Sequence, residues 1–259
     1  MAEVVIVDGP GEGAQLAADL IERLVRERPD AVLGLATGSS PLPLWAALRE
    51  RALDLGRVHG FALDEYLGLP VGHPESYRAV IDREVVDVLG LDPERVHVPA
   101  EGLTGAALAG AGEQFEARIA AVGGVDLQVL GIGSTGHIGF NEPGSSLASR
   151  TRLKLLAAAT RRDNARFFGG DVDLVPTHCI TQGLGTILDA RQLVLLAWGE
   201  AKAGALAAAV EGPVTASMPA SVIQLHPRVT VIADEAAASR LTQAEYYREA
   251  WALRPDWAR

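Results

Sequence analysis

Short runs of β-branched and aliphatic residues alternate with longer amphipathic stretches along almost the whole chain, and this rhythm limits the fold more than any other feature. EVVIVD (3–8) precedes a helical pattern near 11–28, AVLGLA (31–36) one from about 41 to 53, and GFAL (60–63) a loop and then a helix near 77–89. RVHV (95–98) precedes an Ala-rich helix near 105–122, DLQVLGI (126–132) a glycine-rich loop, RQLVLLAW (191–198) a helix from about 201 to 210, and VTVIAD (229–234) the terminal helices. Nearly continuous apolar runs suit parallel strands covered on both faces, because a strand with one wet face alternates. The pattern predicts an α/β fold: a mostly parallel sheet, right-handed crossovers and helices on both faces. Ligands are then expected beyond the carboxyl ends of the strands, where neighbouring crossovers diverge. Residues 143–185 contain no strong strand and read as a helical cover. No repeat or Pro/Ser-rich linker divides the chain, so 1–259 reads as one domain.

Composition narrows the function. The 259 residues, 48% hydrophobic and 22% charged, suffice for a large core. A net charge of -10 works against a broad interface with nucleic acid, and no basic run with interleaved aromatics occurs, so an anionic ligand must be met locally. One cysteine, Cys179, rules out an internal disulfide or a Cys-based zinc site, and His59, His73, His97, His178 and His226 lack metal-ligand spacing. No metal or redox cofactor is expected. Without a basic leader or an eighteen-residue apolar run, the expectation is a cytoplasmic protein with no membrane span.

Three loops that follow strands carry the chemistry-bearing residues. ATGSSP (36–41) offers the backbone N–H groups and hydroxyls of Thr37, Gly38, Ser39 and Ser40 at a helix start, a cradle for phosphate. It lacks the Lys of a nucleotide-binding loop, which favours a phosphorylated small molecule. ALDEYLG (62–68) sets Asp64 beside Glu65; neighbours on a strand point to opposite sides, so at most one faces a given pocket. GIGSTGHIGFNEP (131–143) contains a literal G-x-G-x-x-G, but Gly139, Pro143 and Gly144 oppose a following helix and no acid lies between Glu142 and Asp163. A dinucleotide site is therefore not expected. His137 and Glu142 remain, a proton carrier and a carboxylate able to orient it. Arg166 and Lys202 add cations suited to a phosphate, the first as a bidentate fork and the second as a point charge.

In order and across nearly the whole chain, LGLATGSSP, LDEYLGLPVGHPESY, GHIGFNEPGSSLASRTRLK, RRDNARFF, ITQGLGTILDA and SVIQLHP resemble the glucosamine-6-phosphate deaminase family. The resemblance implies a modified Rossmann-like fold and a cofactor-independent enzyme of hydrolase or isomerase type, acting in amino-sugar (N-acetylglucosamine) catabolism. It would turn glucosamine 6-phosphate and water into fructose 6-phosphate and ammonium. By resemblance, Asp64 is the base moving a proton between C2 and C1, His137 assists ring opening with Glu142 as partner, and Thr37 to Ser40, Arg166 and Lys202 hold the phosphate. Ser145, Ser146, Arg152 and Lys154 are compatible with the family's intersubunit site for N-acetylglucosamine 6-phosphate, with Tyr246 a weaker match, which leaves activation and a homo-oligomer open. Thr135 departs from the family, where Asp or Asn is common two residues before the histidine; a hydroxyl lacks the carboxylate's charge, so Thr135 is left out of the catalytic set. A 6-phosphogluconolactonase shares the scaffold and a Gly-His segment but typically has Arg where Tyr66 stands. A sensor that binds phosphosugar without turnover is the reading outside enzymes.

Overall fold

The structure, a computed structural model, describes residues 3–101 and 103–254, so both extreme ends of the expected 1–259 domain fall outside it. In chain order the strands are β1 (Glu3–Val7), β2 (Val32–Leu35), β3 (His59–Ala62), β4 (Asp64–Leu67), β5 (Val96–His97), β6 (Leu127–Gly131), β7 (Arg152–Leu155), β8 (His178–Thr181), β9 (Leu193–Ala197) and β10 (Val229–Asp234). The helices are α1 (Pro10–Glu27), α2 (Leu42–Glu50), α3 (Tyr77–Ile81), α4 (Asp87–Leu89), α5 (Ala111–Ala121), α6 (Ala158–Asn164), α7 (Leu184–Leu188), α8 (Ala203–Val210), α9 (Glu235–Ala238) and α10 (Ala244–Ala252). A π-helical turn, Asp82–Val86, joins α3 to α4, so helical structure runs from 77 to 89 as the pattern predicts.

Seven strands form a parallel sheet ordered β1-β10-β9-β6-β2-β3-β5. The apolar runs explain it: all five residues of β9 and all four of β2 are buried, as strands covered on both faces must be. α1 shows the complementary pattern, burying Ala14, Ala17, Ala18, Ile21 and Val25 along one stripe and taking Pro10 at its first turn, where the missing N–H costs nothing. From β2 the chain steps outward through β3 to β5; from β6 it steps the other way through β9 and β10. The crossovers diverge between β2 and β6, which pair Leu33 with Leu127 and Gly34 with Gln128, and a crevice opens beyond their carboxyl ends. At the amino ends of the same strands, Asp126 receives Val32 N–H (2.8 Å), Arg28 (2.5 Å) and Arg191 (2.7 Å), tying β2, β6 and the approach to β9 together.

The expected helical cover over 143–185 is corrected in part. α6 and α7 lie there, but so do β7 and β8, which join β4 in an antiparallel sheet ordered β4-β8-β7. These strands have four residues each, and in β7 the leucines are the exposed set: Leu153 is 53% and Leu155 62% exposed, with Arg152 and Lys154 partly covered. That inverts the usual reading of a half-buried strand, so periodicity missed it. The main sheet releases the chain at Ala62, and one residue later it enters the small sheet at Asp64. Two fully buried amides fasten the seam. Gln182 donates from its backbone to Leu63 O (2.7 Å) and from Nε2 to Ala62 O (3.0 Å), while Asn141 Nδ2 donates to Gln182 O (2.7 Å) and Ile138 O (3.0 Å).

Candidate active site

A cavity of about 510 Å³ lies over the crevice and draws on four neighbouring strands: Thr37 to Ser40 after β2, Leu63 and Asp64 after β3, Gly131 to Ser134 and His137 at and after the end of β6, and Trp198 and Lys202 after β9. Thr160, Asp163, Asn164 and Arg166, from α6 and the turn after it, add to the wall, together with the aromatic rings of Tyr77, Phe140 and Phe167. Of the residues singled out in the sequence, Thr37, Gly38, Ser39, Ser40, Asp64, His137, Arg166 and Lys202 border this one space, and its size suits a small metabolite.

Asp64 stands at the seam, where β4 pairs it with Thr181. It is 5% exposed, and burial, with Glu65 close by, pushes its pKa up to about 8 although the Phe140 backbone and the Thr181 hydroxyl pull the other way. Glu65 turns away as strand alternation requires: its carboxylate accepts the N–H groups of Tyr66 (2.7 Å), Tyr77 and Arg78 (both 2.8 Å), anchoring the start of α3. Gly139, at φ 53°, lets the loop after β6 pass beneath this acid; a Cβ there would sit 3.3 Å from Asp64 Oδ2 and 3.0 Å from Thr181 Oγ1.

His137 lies over Gly133, where any Cβ would run into the imidazole ring. Thr135 Oγ1 is 2.9 Å from His137 Nδ1 and donates to Glu142 Oε2 at 3.3 Å, and Glu142 Oε2 itself is 3.6 Å from Nδ1. Thr135, left out on sequence grounds, thus stands between the imidazole and its carboxylate. Glu142 is 6% exposed and does not border the cavity, which it meets only by way of His137. Burial raises its pKa, but the hydrogen bonds of His137 and Thr160 and the charge of His137 outweigh that, so the carboxyl titrates below its ordinary value. Among the described residues no hydrogen bond engages His137 Nε2, which leaves that nitrogen for a ligand.

The anion end is built from the cradle and two cations. Trp198 Nε1 donates to Ser40 O (2.8 Å) and pins the 37–40 turn, and Ser40 Cβ rests against Gly131. Burial and then the nearby Arg166 guanidinium push the Lys202 ammonium below its ordinary pKa, with Asp163 opposing. Two cations facing one cavity repel each other until an anion enters, the arrangement expected of a phosphate pocket. Asp163 also accepts a hydrogen bond from Ser134 Oγ (2.7 Å).

Ser145, Arg152 and Lys154 stand apart from the cavity. Ser145 is 2% exposed with no partner for its hydroxyl among the described residues. Arg152 donates to Asn141 Oδ1 (3.0 Å), supporting the seam, and Lys154 lies beside it on β7. Thr160, Trp198, Asn141 and Gln182 escaped sequence reasoning, since each works through a partner distant in the chain.

A family model described as glucosamine-6-phosphate isomerases/6-phosphogluconolactonase matches residues 11–232. Proteins named glucosamine-6-phosphate deaminase from Arthrobacter sp. (strain FB24) and Bifidobacterium longum (strain NCC 2705) are 58% and 55% identical, the first over 98% and the second over 99% of both chains. The chain belongs to the glucosamine-6-phosphate deaminase family. A solved structure of a monomeric glucosamine-6-phosphate deaminase superposes with a TM-score of 0.87 at 36% identity, covering 93% of this chain and 100% of that one. A 6-phosphogluconolactonase from Trypanosoma brucei superposes at 0.74 with 17% identity over 93% of this chain and 99% of its own, a likeness of fold that deaminases and lactonases share. Among the described residues no helix is long and apolar enough to cross a membrane.

Proposed function

We propose that this chain converts glucosamine 6-phosphate and water to fructose 6-phosphate and ammonium. The observation that carries the reading is one cavity bordered both by the anion groups, Thr37 to Ser40 with Arg166 and Lys202, and by the proton-handling pair Asp64 and His137. Phosphate held at one end aligns the sugar's C1 and C2 at the other, so binding energy remote from the reaction is spent on orientation.

Ring opening comes first, because only the free aldehyde acidifies the C2 proton. His137, held through Nδ1 by Thr135 and Glu142, takes the O1 proton and returns one to the ring oxygen. Asp64 removes the C2 proton, O1 is protonated, and the resulting enolamine receives a proton at C1. The imine now at C2 adds water and expels ammonia, leaving the ketone. Asp64 must be ionised to begin, and the cationic amine of the arriving sugar supplies the opposite charge that lowers a pKa of about 8. Side-chain acids and bases suffice for these steps, and a cytoplasmic sugar-phosphate pool fits the expected location.

Incubation with glucosamine 6-phosphate, following ammonium and fructose 6-phosphate together, tests the proposal: the two are expected in equal amounts. Phosphosugar binding without ammonium across a broad pH range would establish a sensor instead, and hydrolysis of 6-phosphogluconolactone alone would establish a lactonase.

A further inference from the structure

Building on the deaminase reading, we propose that Thr160 is a positioning residue for His137, acting through Glu142. Each oxygen of the Glu142 carboxylate has its own partners. Oε2 accepts from Thr135 Oγ1 and faces His137 Nδ1; Oε1 accepts from Thr160 Oγ1 (2.5 Å) and from the Ala157 N–H (3.3 Å). Two donors on Oε1 fix the rotation of the carboxylate about its last bond, and that fixes where Oε2 meets the imidazole. Thr160 is 2% exposed yet borders the cavity, so the residue is part of its wall while its hydroxyl is committed to Glu142 behind that wall. The helix that supplies it also carries Asp163, which Ser134 on the His137 loop contacts, and leads directly into Arg166. One short element therefore holds the acid that orients His137 and touches the loop bearing it, while presenting the guanidinium meant for the phosphate.

Charge supports the geometry. The titratable groups facing Glu142 are His137 from its own loop and the Cys179 thiol from β8, which burial keeps protonated and which Asp64, Lys154 and Arg152 also influence. From α6 Glu142 receives the Thr160 hydroxyl, and from Ala157, the residue capping that helix, a backbone N–H. Removing the hydroxyl withdraws one of the interactions that favour the ionised carboxylate, so Glu142 becomes protonated at higher pH and ceases to orient His137 there.

Thr160→Val keeps the shape and removes the donor, whereas Thr160→Ser keeps the donor and removes the methyl. Asp64 sets the upper break of the acid limb of kcat/KM, and in Val the lower break, where Glu142 takes up its proton, moves up by about one pH unit, the scale set by a hydrogen bond to a charged group; in Ser it returns to the wild-type position. Inhibition by inorganic phosphate stays unchanged in both. If Val leaves the lower break in place, or Ser displaces it as far as Val does, Thr160 is only a packing residue and the proposal is overturned. Thr160→Ala repeats the comparison if the Val protein is not recovered folded. Failure of the deaminase reading is separately visible as wild-type protein that releases no ammonium. The proposal is then read by nitrogen-15 NMR of His137, whose tautomer balance or titration must change in Val and not in Ser; an unchanged histidine in Val overturns it.

Discussion

Asp64 sits where an ionised carboxylate is least comfortable, and that discomfort has two measurable faces. Asp64→Asn should lower kcat by roughly 10² to 10⁴, the range for a positioned proton-transfer group, with phosphate-dominated binding retained. The same substitution should also report stability. Between the ordinary carboxyl pKa of 3.8 and the raised value of about 8, the unfolded chain has lost this proton and the folded one keeps it. Stability contributed at this site therefore falls as pH rises through that window, and the Asn protein, free of the penalty, should melt progressively higher than wild type from about pH 4 to pH 8. A constant difference in Tm over that range would mean Asp64 titrates normally. Thr135 offers a second test, since its hydroxyl touches both His137 and Glu142. Thr135→Asp brings a second carboxylate against the first, which raises the pair's apparent pKa, and sets a negative charge against the imidazole. The pH–rate profile should change shape or rise in the acid-to-neutral range; an unaltered profile counts against a role for Thr135 in the relay.

At the level of elements, the loops after β2 and β9 act as one unit through the Trp198 indole. The far edge of that indole packs over Gly13 of α1, where a Cβ would collide with it and come within 2.9 Å of Ile232 Cγ2. Gly13→Ala should displace Trp198, loosen its bond to Ser40 and raise KM for the phosphosugar severalfold while kcat changes little, although residue 13 does not border the cavity. Steady-state kinetics alongside inhibition by inorganic phosphate would check this. Such long-range support marks the boundary of what was legible in the chain. The parallel strands announced themselves because burial on both faces leaves unbroken apolar runs, and the cradle, the acid and the Gly-His loop were legible because each follows such a strand. The small sheet was not, since its strands are short and β7 buries its cations more than its leucines. Thr160, Gln182 and Asn141 left no local trace either: their hydrogen bonds close only after distant segments meet.

For the molecule as a whole, the two ends of the sheet have separate duties. Asp126 locks the amino ends of β2 and β6, opposite the cavity, through Arg28, Arg191 and the Val32 N–H. Asp126→Asn should cost about 1–3 kcal/mol in denaturant unfolding, since bonds to an ionised acceptor become bonds to a neutral one. Activity per folded molecule should stay as it was; a matching fall in kcat would show that the far end of the sheet also shapes the site. The carboxyl ends are divided again, because the turn at 37–40 follows a strand of the seven-stranded sheet and Asp64 belongs to the three-stranded one, with Leu63 alone between β3 and β4. The 37–40 turn and Asp64 are thus mounted on separate plates joined through one residue, with His137 following the larger plate and Arg166 the smaller. A substitution confined to β8 should therefore re-aim the Asp64 carboxylate while leaving the turn at 37–40 where it stands, since the backbone joining them crosses from one sheet to the other at Leu63.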